Sequence, residues 1–585
     1  MGKPRKRRMK PDAELGSTSA ALKNVSSWID LREVDRHMTR TELARRLRAF
    51  EWSSAFRRLA LYASFLANNP DSLTKLRAFL QVALERSSVP EHRRVGLALS
   101  TQHPSRPLAH GAVINLLQAN VILQSSESGH EATDADLAYL LLGANAFAGD
   151  WNEPAERNIF TNKERNLANS ARGMLYARGA DTVHTLLRVE EIFGTVPERT
   201  SDWDNTAAWS QVQQRVLGSS ISDYVELLAG PLVIQTATWA REGLAEGESR
   251  PPELRPEAWL RETKIPAEVG RDFLSSLAVT REEAREELER QRGAHEIVLA
   301  PTVFVRRPLV WISETHVAAA APWFLEDQIR MGVWARFLQY AKSEYGAFEK
   351  WTSAFGDMFE LRCVSFVDRA LKTRGRGDIR RAHSATWGKE EDIVLIEGNA
   401  IIVISVKAST MPEDRLKGAR SIQSVVEWYE RFYFGKRAGR RRAGAVHLLQ
   451  KKVDAIRAGT ERIPPRPKVF PVVLTYDRLS ADNPGAYRWV TTRCNTERLL
   501  SKCEPLTLLD IDDFELLMAV IANGRSLRSI LEHKTSGDWR YGRLSLLIHE
   551  QFTAKDKRLP WAEAAFDDLS ARIKRRLFGV QPDPP

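Results

Sequence analysis

The sequence predicts a mainly α N-terminal region, then an α/β domain, then a mainly helical C-terminal tail. Three observations carry this. From about residue 21 to about 335, apolar residues recur at three- and four-residue spacing. From about 336 to 480, long helical stripes alternate with short, almost wholly apolar runs, KEEDIVLIEGNAIIVISVKAS (389–409) and KVFPVVLTYD (468–477). After residue 480 helical spacing returns. The chain of 585 residues is 43% hydrophobic and 28% charged, the balance of a soluble protein with core material for about two to four domains. The expected organisation is a disordered basic tail over 1–20, a helical region over 21–335 with a break near 245–260, an α/β domain over 336–480, and a mainly helical cap over 481–585.

The tail holds Lys3, Arg5, Lys6, Arg7, Arg8 and Lys10, then turns Gly/Ser/Thr-rich. It reads equally as a solvated tail and as a weak nucleic-acid arm. In the helical region TRTE (39–42) offers a capping box before LARRLRAF, and TREEAREELERQR (280–292) begins with another T-x-x-E. ESRPPELRPEAW (248–259) reads as an internal linker. No motif here carries a chemical mechanism. The region reads as a helical platform, open to a protein partner or trigger.

Several classes are excluded. The three cysteines, Cys363, Cys494 and Cys503, form no CxxC pair and lack suitable histidine spacing, which argues against a zinc site or a disulfide framework. No apolar run approaches 18 residues, and the N-terminus lacks the apolar segment of a signal peptide, so a cytoplasmic protein without a membrane span is expected. A net charge of +11, from 86 basic and 75 acidic residues, permits a polyanionic partner. One basic run, RFYFGKRAGRRR (431–442), concentrates that charge, with a solvated loop as the plain alternative.

In the α/β domain, residues 344–373 read as an amphipathic helix with Phe355, Phe359, Phe366 and Ala370 on one stripe, ending in TRGRGD. Gly398-Asn399 between two apolar runs signals a two-residue hairpin. Glu397 then faces Ala400, and five steps back along each strand Asp392 faces Ser405. Lys407, two residues on, shares that face. Opposed Cβ atoms lie about 4.5–5.5 Å apart and diagonal ones about 7–8 Å, so Asp392, Ser405 and Lys407 converge at one end of a hairpin whose faces are otherwise apolar, as in a sheet covered on both sides. A salt bridge between Asp392 and Lys407 is the plain structural alternative. A helix at about 413–436 follows, with stripe Ala419, Ile422, Val426, Tyr429 and Tyr433, then a helix at about 443–459 and the buried strand 468–477. CEPLTLLDIDDFELLMAVIANGRSLRSILEHK (503–534) reads as strand, turn, helix and short helix, a structural cap.

The order of these parts resembles the PD-(D/E)XK nuclease superfamily, the restriction-endonuclease-like fold. Its residues here are Glu360 in GDMFELRCVSFVDRAL and Asp392, Ser405 and Lys407 in DIVLIEGNAIIVISVK. The resemblance covers about 345–480 and implies an αβββαβ core, with one short strand, 382–388, ahead of Asp392. It implies hydrolysis of DNA phosphodiester bonds with Mg²⁺ (or Mn²⁺) as cofactor. A hard cation takes carboxylate oxygens such as those of Asp392 and Glu360, and Lys407 can hold or help deprotonate the attacking water. Ser405 departs from the family, which usually has Asp or Glu there. Some restriction enzymes of the superfamily share SVK and draw the lost carboxylate from the next helix. Glu427 is the matching candidate here, and Glu413 a second. Some RecB-like members carry a Gln and a Tyr on this helix that touch DNA. Gln423 is open to that role, whereas Tyr429 lies on the apolar stripe and reads as core. His383 and His447 read as ordinary histidines. Arg437, Arg440, Arg441 and Arg442 in the basic run are expected to hold phosphates.

The expected function is a metal-dependent nuclease acting on DNA. A helical sensor fused to such a domain would suit prokaryotic antiviral defence against phage or plasmid DNA, an inference from architecture alone. The alternative is a catalytically inactive nuclease-fold protein that binds DNA or serves as a scaffold. DNA versus RNA, cleavage mode and a homo-oligomer stay open.

Overall fold

The computed structural model describes residues 31–33, 35, 38–68, 72–102, 111–145, 147, 182–195, 209–230, 253–262, 266–293, 295–299, 301–345, 348–382, 393–408, 422–437, 440–441, 444–458, 467–477 and 484–578. The basic tail, Glu413 and His383 lie outside them, as do Asp392 and Arg442. Among the described residues no helix is long and apolar enough to cross a membrane.

Helices Arg40–Leu47, Trp52–Asn68, Ser72–Arg86, Pro90–Gln102, Gly111–Gln124 and Asp134–Asn145 build the first unit. Gly111–Gln124 runs through its centre, buried from Val113 to Leu123. A helix that is apolar all round belongs in an interior, and its polar residues need partners there. The Asn120 amide nitrogen donates to the carbonyls of Leu116 and Val298, each at 2.8 Å, and its oxygen accepts from Val298 N–H at 2.8 Å. Of the two caps read from the sequence, Thr280 and Glu283 form a reciprocal capping box, and Thr39 accepts from Glu42 N–H.

The N-terminal region is not purely helical. Strands Glu253–Leu254, Ala278–Val279, Leu309–Ser313 and His316–Ala319 make a small mixed sheet. Ser313 faces His316 across a two-residue turn, Glu314-Thr315. The reason lies in PLVWISETHVAA, a β-branched and aromatic run too short to show a period beside its helical neighbours. One face of this sheet (Val310, Ile312, Ala318) packs into the first unit, and the other (Leu309, Val317, Ala319) into the core of the rest of the chain. Residues 335 and 336, where the sequence pattern changes, lie inside helix Val333–Tyr345.

The second unit is centred on a five-stranded sheet. Its elements are α1 (Phe348–Arg374), β1 (Ile379–Ala382), β2 (Ile393–Glu397), β3 (Ala400–Lys407), α2 (Ile422–Phe434), α3 (Ala445–Ala458), β4 (Lys468–Thr475), α4 (Pro484–Thr496), β5 (Thr507–Asp510), α5 (Ile511–Ala522) and α6 (Leu527–Lys534). The strand order is β5-β4-β3-β2-β1. β1, β2 and β3 are antiparallel neighbours, whereas β3, β4 and β5 run parallel. The first strand lies over Ile379–Ala382, ahead of the expected 382–388, and residues from 383 to 392 fall outside the described set. The expected structural cap contributes β5, a fifth strand of the main sheet.

Both faces of the sheet are covered. Ile393, Leu395, Ile402, Ile404 and Val406 pack with α1 and α5. Val394, Ile396, Ile401 and Val403 pack with α2, α3 and α4. This is why β2 and β3 read as nearly continuous apolar runs.

Candidate functional site

The hairpin fixes the site. Glu397 faces Ala400 and Ile393 faces Ile404, so the two-residue loop holds the expected register along the whole described ladder. Gly398 has φ +57°, a value open to glycine at the first central position of a tight hairpin turn. Continuing that register leads to position 392, outside the described residues. Ser405 and Lys407 alternate with Ile404 and Val406, which face α1, and so share the face toward α2 and α3.

Ser405 is 1% exposed, and its hydroxyl has no hydrogen-bond partner among the described residues. A buried hydroxyl without a partner costs free energy, so this one calls for a reason. Lys407 is half-buried at the end of β3. It is aligned with Thr475 on β4, and Thr475 in turn with Asp510 on β5. The three residues mark the carboxyl ends of three parallel strands, the edge of an α/β sheet where ligands bind.

Below this edge the chain is held firmly. Tyr476 N–H donates to Lys407 C=O at 3.2 Å, and the Tyr476 hydroxyl donates to Arg330 C=O at 2.9 Å. Phe355 and Phe359 of α1 meet the Tyr476 ring edge-on at 5.1 and 5.3 Å. Burial pushes the Tyr476 phenol up to about 12, against the opposing pull of Arg188, Arg330 and Arg362. It is a neutral structural group at physiological pH. A buried ionic junction lies alongside. Arg188, 1% exposed, reaches Glu515 at 2.7 Å and Asp512 at 2.5 Å, and Arg362 reaches Glu515 at 2.5 Å and Glu191 at 3.1 Å. Burial alone would raise the Glu515 carboxyl, but Arg188 and Arg362 outweigh it and hold it low. Helix Thr182–Glu190 is thereby tied to α1 and α5.

The other expected site residues sit on α1, α2, α3 and a short ribbon. Glu360 is half-buried on α1, which covers the opposite face of the sheet, so it does not share the face of Ser405 and Lys407. Gln423 and Glu427 are exposed on α2, and the Gln423 amide donates to the Glu427 carboxylate at 2.8 Å. The reason is the stripe itself. Ile422, Val425, Val426, Tyr429 and Tyr433 turn inward, which turns positions 423 and 427 outward. Tyr429 is fully buried, as its stripe predicted. His447 packs edge-on against Phe434. The basic run ends α2 and then forms a two-stranded ribbon in which Lys436 is aligned with Arg441 and Arg437 with Arg440. Asp477, read from the sequence only as the last residue of a strand, is 5% exposed two residues past the end of β4.

Among the described residues no three His, Cys, Asp or Glu side chains are grouped to hold a metal ion. The edge holds the orphaned Ser405 hydroxyl, a hard oxygen donor, and the Lys407 ammonium, which as a cation is no metal ligand. No protein-family model matches this chain, and no curated protein or solved structure matches it.

Proposed function

We propose that this protein is a metal-dependent nuclease of PD-(D/E)XK type, with its site at the carboxyl edge of β3 and β4. The observation that carries the reading is the hairpin register, which sets the buried Ser405 hydroxyl and Lys407 on one face at the open end of the ladder. The element order α1, β1, β2, β3, α2, α3, β4 supports it, because it is the αβββαβ order with one added helix.

Asp392, with a second carboxylate, would hold Mg²⁺ or Mn²⁺. When bound, the ion polarises a phosphoryl group and lowers the pKa of a water. Lys407 contributes an ammonium beside the attacking water, holding it by hydrogen bond and offsetting charge that develops on the phosphoryl oxygens. Burial by the flanking cores strengthens that electrostatic contribution. DNA is the proposed substrate. The ribbon supports a polyanionic partner, because Lys436, Arg437, Arg440 and Arg441 hold its aligned positions and such a basic run attracts a phosphate backbone. A place in defence against foreign DNA rests on the fusion of a helical region to such a domain.

A second reading has one observation in its favour. Ser405 stands where a carboxylate would help hold the ion, which suits a domain that binds DNA without cutting it. Incubating plasmid with the full chain in Mg²⁺, Mn²⁺ or EDTA, beside Asp392→Ala, separates the two. Metal-dependent cutting lost in Asp392→Ala supports the nuclease. Binding without cutting under every condition supports the second reading.

A further inference from the structure

We propose that Tyr476 is a positioning residue for Lys407, tying the end of β3 that carries the ammonium to the helical N-terminal region through its phenol. The inference rests on the nuclease reading for the use made of Lys407, and goes beyond it by assigning the residue that sets where that ammonium stands.

Three observations carry it. Among the described residues the pairing of β3 with β2 stops at Ile404, whereas its pairing with β4 runs on to Lys407. The bond at that end comes from Tyr476, whose N–H donates to Lys407 C=O at 3.2 Å. The place of the Lys407 Cα, and with it the direction in which the side chain leaves the strand, therefore follows the place of Tyr476. Second, Tyr476 is held by more than its own strand. Its ring is fully buried and met edge-on by Phe355 and Phe359 at 5.1 and 5.3 Å, and its hydroxyl donates to Arg330 C=O at 2.9 Å. A phenylalanine would fill the same place between those rings. The hydroxyl adds a directional bond, which it keeps because a buried hydroxyl without one costs free energy. Third, the acceptor lies 146 residues away, in the helical region. Arg330 sits in the π-helical turn Gln328–Gly332. On one side of the turn is helix Pro322–Asp327, whose Trp323 and Phe324 pack in the core of the first unit. On the other is helix Val333–Tyr345, whose Val333 and Phe337 pack in the core around the main sheet. Turns of this kind are rare and are frequent at functional sites. A reacting group misplaced by about 1 Å can lose about 10²-fold in rate, so a tether of this kind acts on the reaction through Lys407.

Tyr476→Phe in the full chain keeps the ring and removes the bond to Arg330. Lys407 should then be acetylated severalfold faster in a brief pulse of acetic anhydride, read by peptide mass spectrometry. Lys468, at the other end of β4, should keep its rate. In Mg²⁺ the kcat for plasmid cleavage should fall by about 10–100-fold with KM unchanged. Tyr476→4-aminophenylalanine returns a donor to the same place and should bring both values back toward wild type. A merely structural tyrosine would lower the melting temperature and leave the Lys407 rate and the kcat of the folded protein as they were, and that result overturns the proposal. So does a faster Lys407 in a variant that cuts like wild type. If Tyr476→Phe does not fold, Phe359→Leu keeps the hydroxyl and loosens one side of the clamp. Lys407 must then gain over Lys468, and an unchanged ratio overturns the proposal. The labelling needs no cleavage. Wild-type protein that cuts nothing sinks the nuclease reading, while a Lys407 rate that rises in Tyr476→Phe still supports the tether and one that stays the same overturns it.

Discussion

The two ends of the five-stranded sheet are built from the same strands and finish differently. At the Gly398-Asn399 end, polar groups are spent on structure. Glu397 accepts from Arg528 N–H at the start of α6 at 2.6 Å, and Asn399 accepts from the Arg528 guanidinium at 2.6 Å. Lys468 pairs with Glu532 at 3.0 Å. Arg374 binds both oxygens of Asp378 and caps the carbonyls of Ile521 and Arg525. At the Lys407 end, a serine hydroxyl is buried with no partner among the described residues. The Lys407 end has an ion pair too, Asp510 with Arg543, yet it leaves this polar group uncompensated among the described residues. Ser405 lies two residues before the carboxyl end of β3, toward the carboxyl edge of the parallel strands.

The largest effect that would break this comparison is kinetic. Lys407→Ala and Asp392→Ala should each lower cleavage of plasmid by about 10²–10⁴-fold, with Lys407→Ala still binding Mn²⁺ and both keeping the wild-type melting temperature. Glu397→Ala, at the closed end, should do the opposite and lower the melting temperature while the folded protein still cuts. Should Lys407→Ala instead melt early and cut normally, the two ends are equivalent and Lys407 is a structural cation.

Next comes stability at the closed end. Arg374 has its side chain almost wholly buried, and Asp378 beside it is held down to about 2, first by that hydrogen bond. Arg374→Met takes the guanidinium from the Arg525 carbonyl and leaves the Ile521 carbonyl to Gly524 N–H, and a buried carbonyl left without a donor costs about 1–3 kcal/mol. Urea unfolding should show that loss at pH 7. Because the Asp378 pKa is depressed, its contribution is present above the ordinary carboxylate range and fades as pH falls through about 4 toward about 2. That share is small, since Asp378 is largely exposed.

Much of the closed end was legible in the sequence, and most of the open end was not. Gly398-Asn399 specified the hairpin and its register because only a few backbone shapes turn a strand in two residues. The stripes of α1 and α2 followed from helical period, and TYD at the end of an apolar run marked a strand terminus. Local pattern could not show that β5 would lie parallel to β4 in the same sheet, since that pairing joins Val472 to Thr507 across an intervening helix, α4. Nor could it show Arg188 against Glu515, residues 327 apart, or place Asp477 beside Lys407. The short strands over Leu309–Ala319 were hidden by their length. Helical spacing put Glu427 on the face of Gln423 but could not say that this face turns outward.

A subtler test concerns α6, the helix that caps the closed end. Lys534 is fully buried, donates to the carbonyls of Trp539 and Arg540 at 3.1 Å, and lies 4.5 Å over the Tyr487 ring. Burial brings its pKa down to about 8, with Asp513 opposing the shift in part. The unfolded chain has a lysine near its ordinary value of about 10.4. Between those two values the unfolded state binds more protons, so stability should rise as pH climbs from about 8 to about 10.4, by about 3 kcal/mol at most from this group. Chemical denaturation across that window should show the rise, and Lys534→Met should flatten it. A flat wild-type profile would mean the ammonium is kept charged by its carbonyls.

The smallest expected effect separates cations committed to carboxylates from a run of basic positions offered to a partner. In the ribbon, Lys436 is aligned with Arg441 and Arg437 with Arg440, so each rung joins two positions of the same charge. At the closed end, Arg525 is paired with Asp556 at 2.8 Å and Arg528 with Glu532 at 3.0 Å. Each phosphate that a cation neutralises releases counterions, and binding to duplex DNA then falls with salt by about 0.9 in log–log slope per phosphate. Neutralising Arg437, Arg440, Arg441 and Arg442 should therefore weaken DNA binding and flatten the salt dependence by about 0.9 for every phosphate those arginines hold. Removing Arg525 and Arg528 together takes away charge of the same sign but should leave the slope unchanged, because their carboxylates already hold them. Fluorescence anisotropy with a labelled duplex over a range of KCl gives both slopes. Equal slopes for the two sets would show that net charge alone draws DNA to this protein and that the ribbon has no special place in holding it.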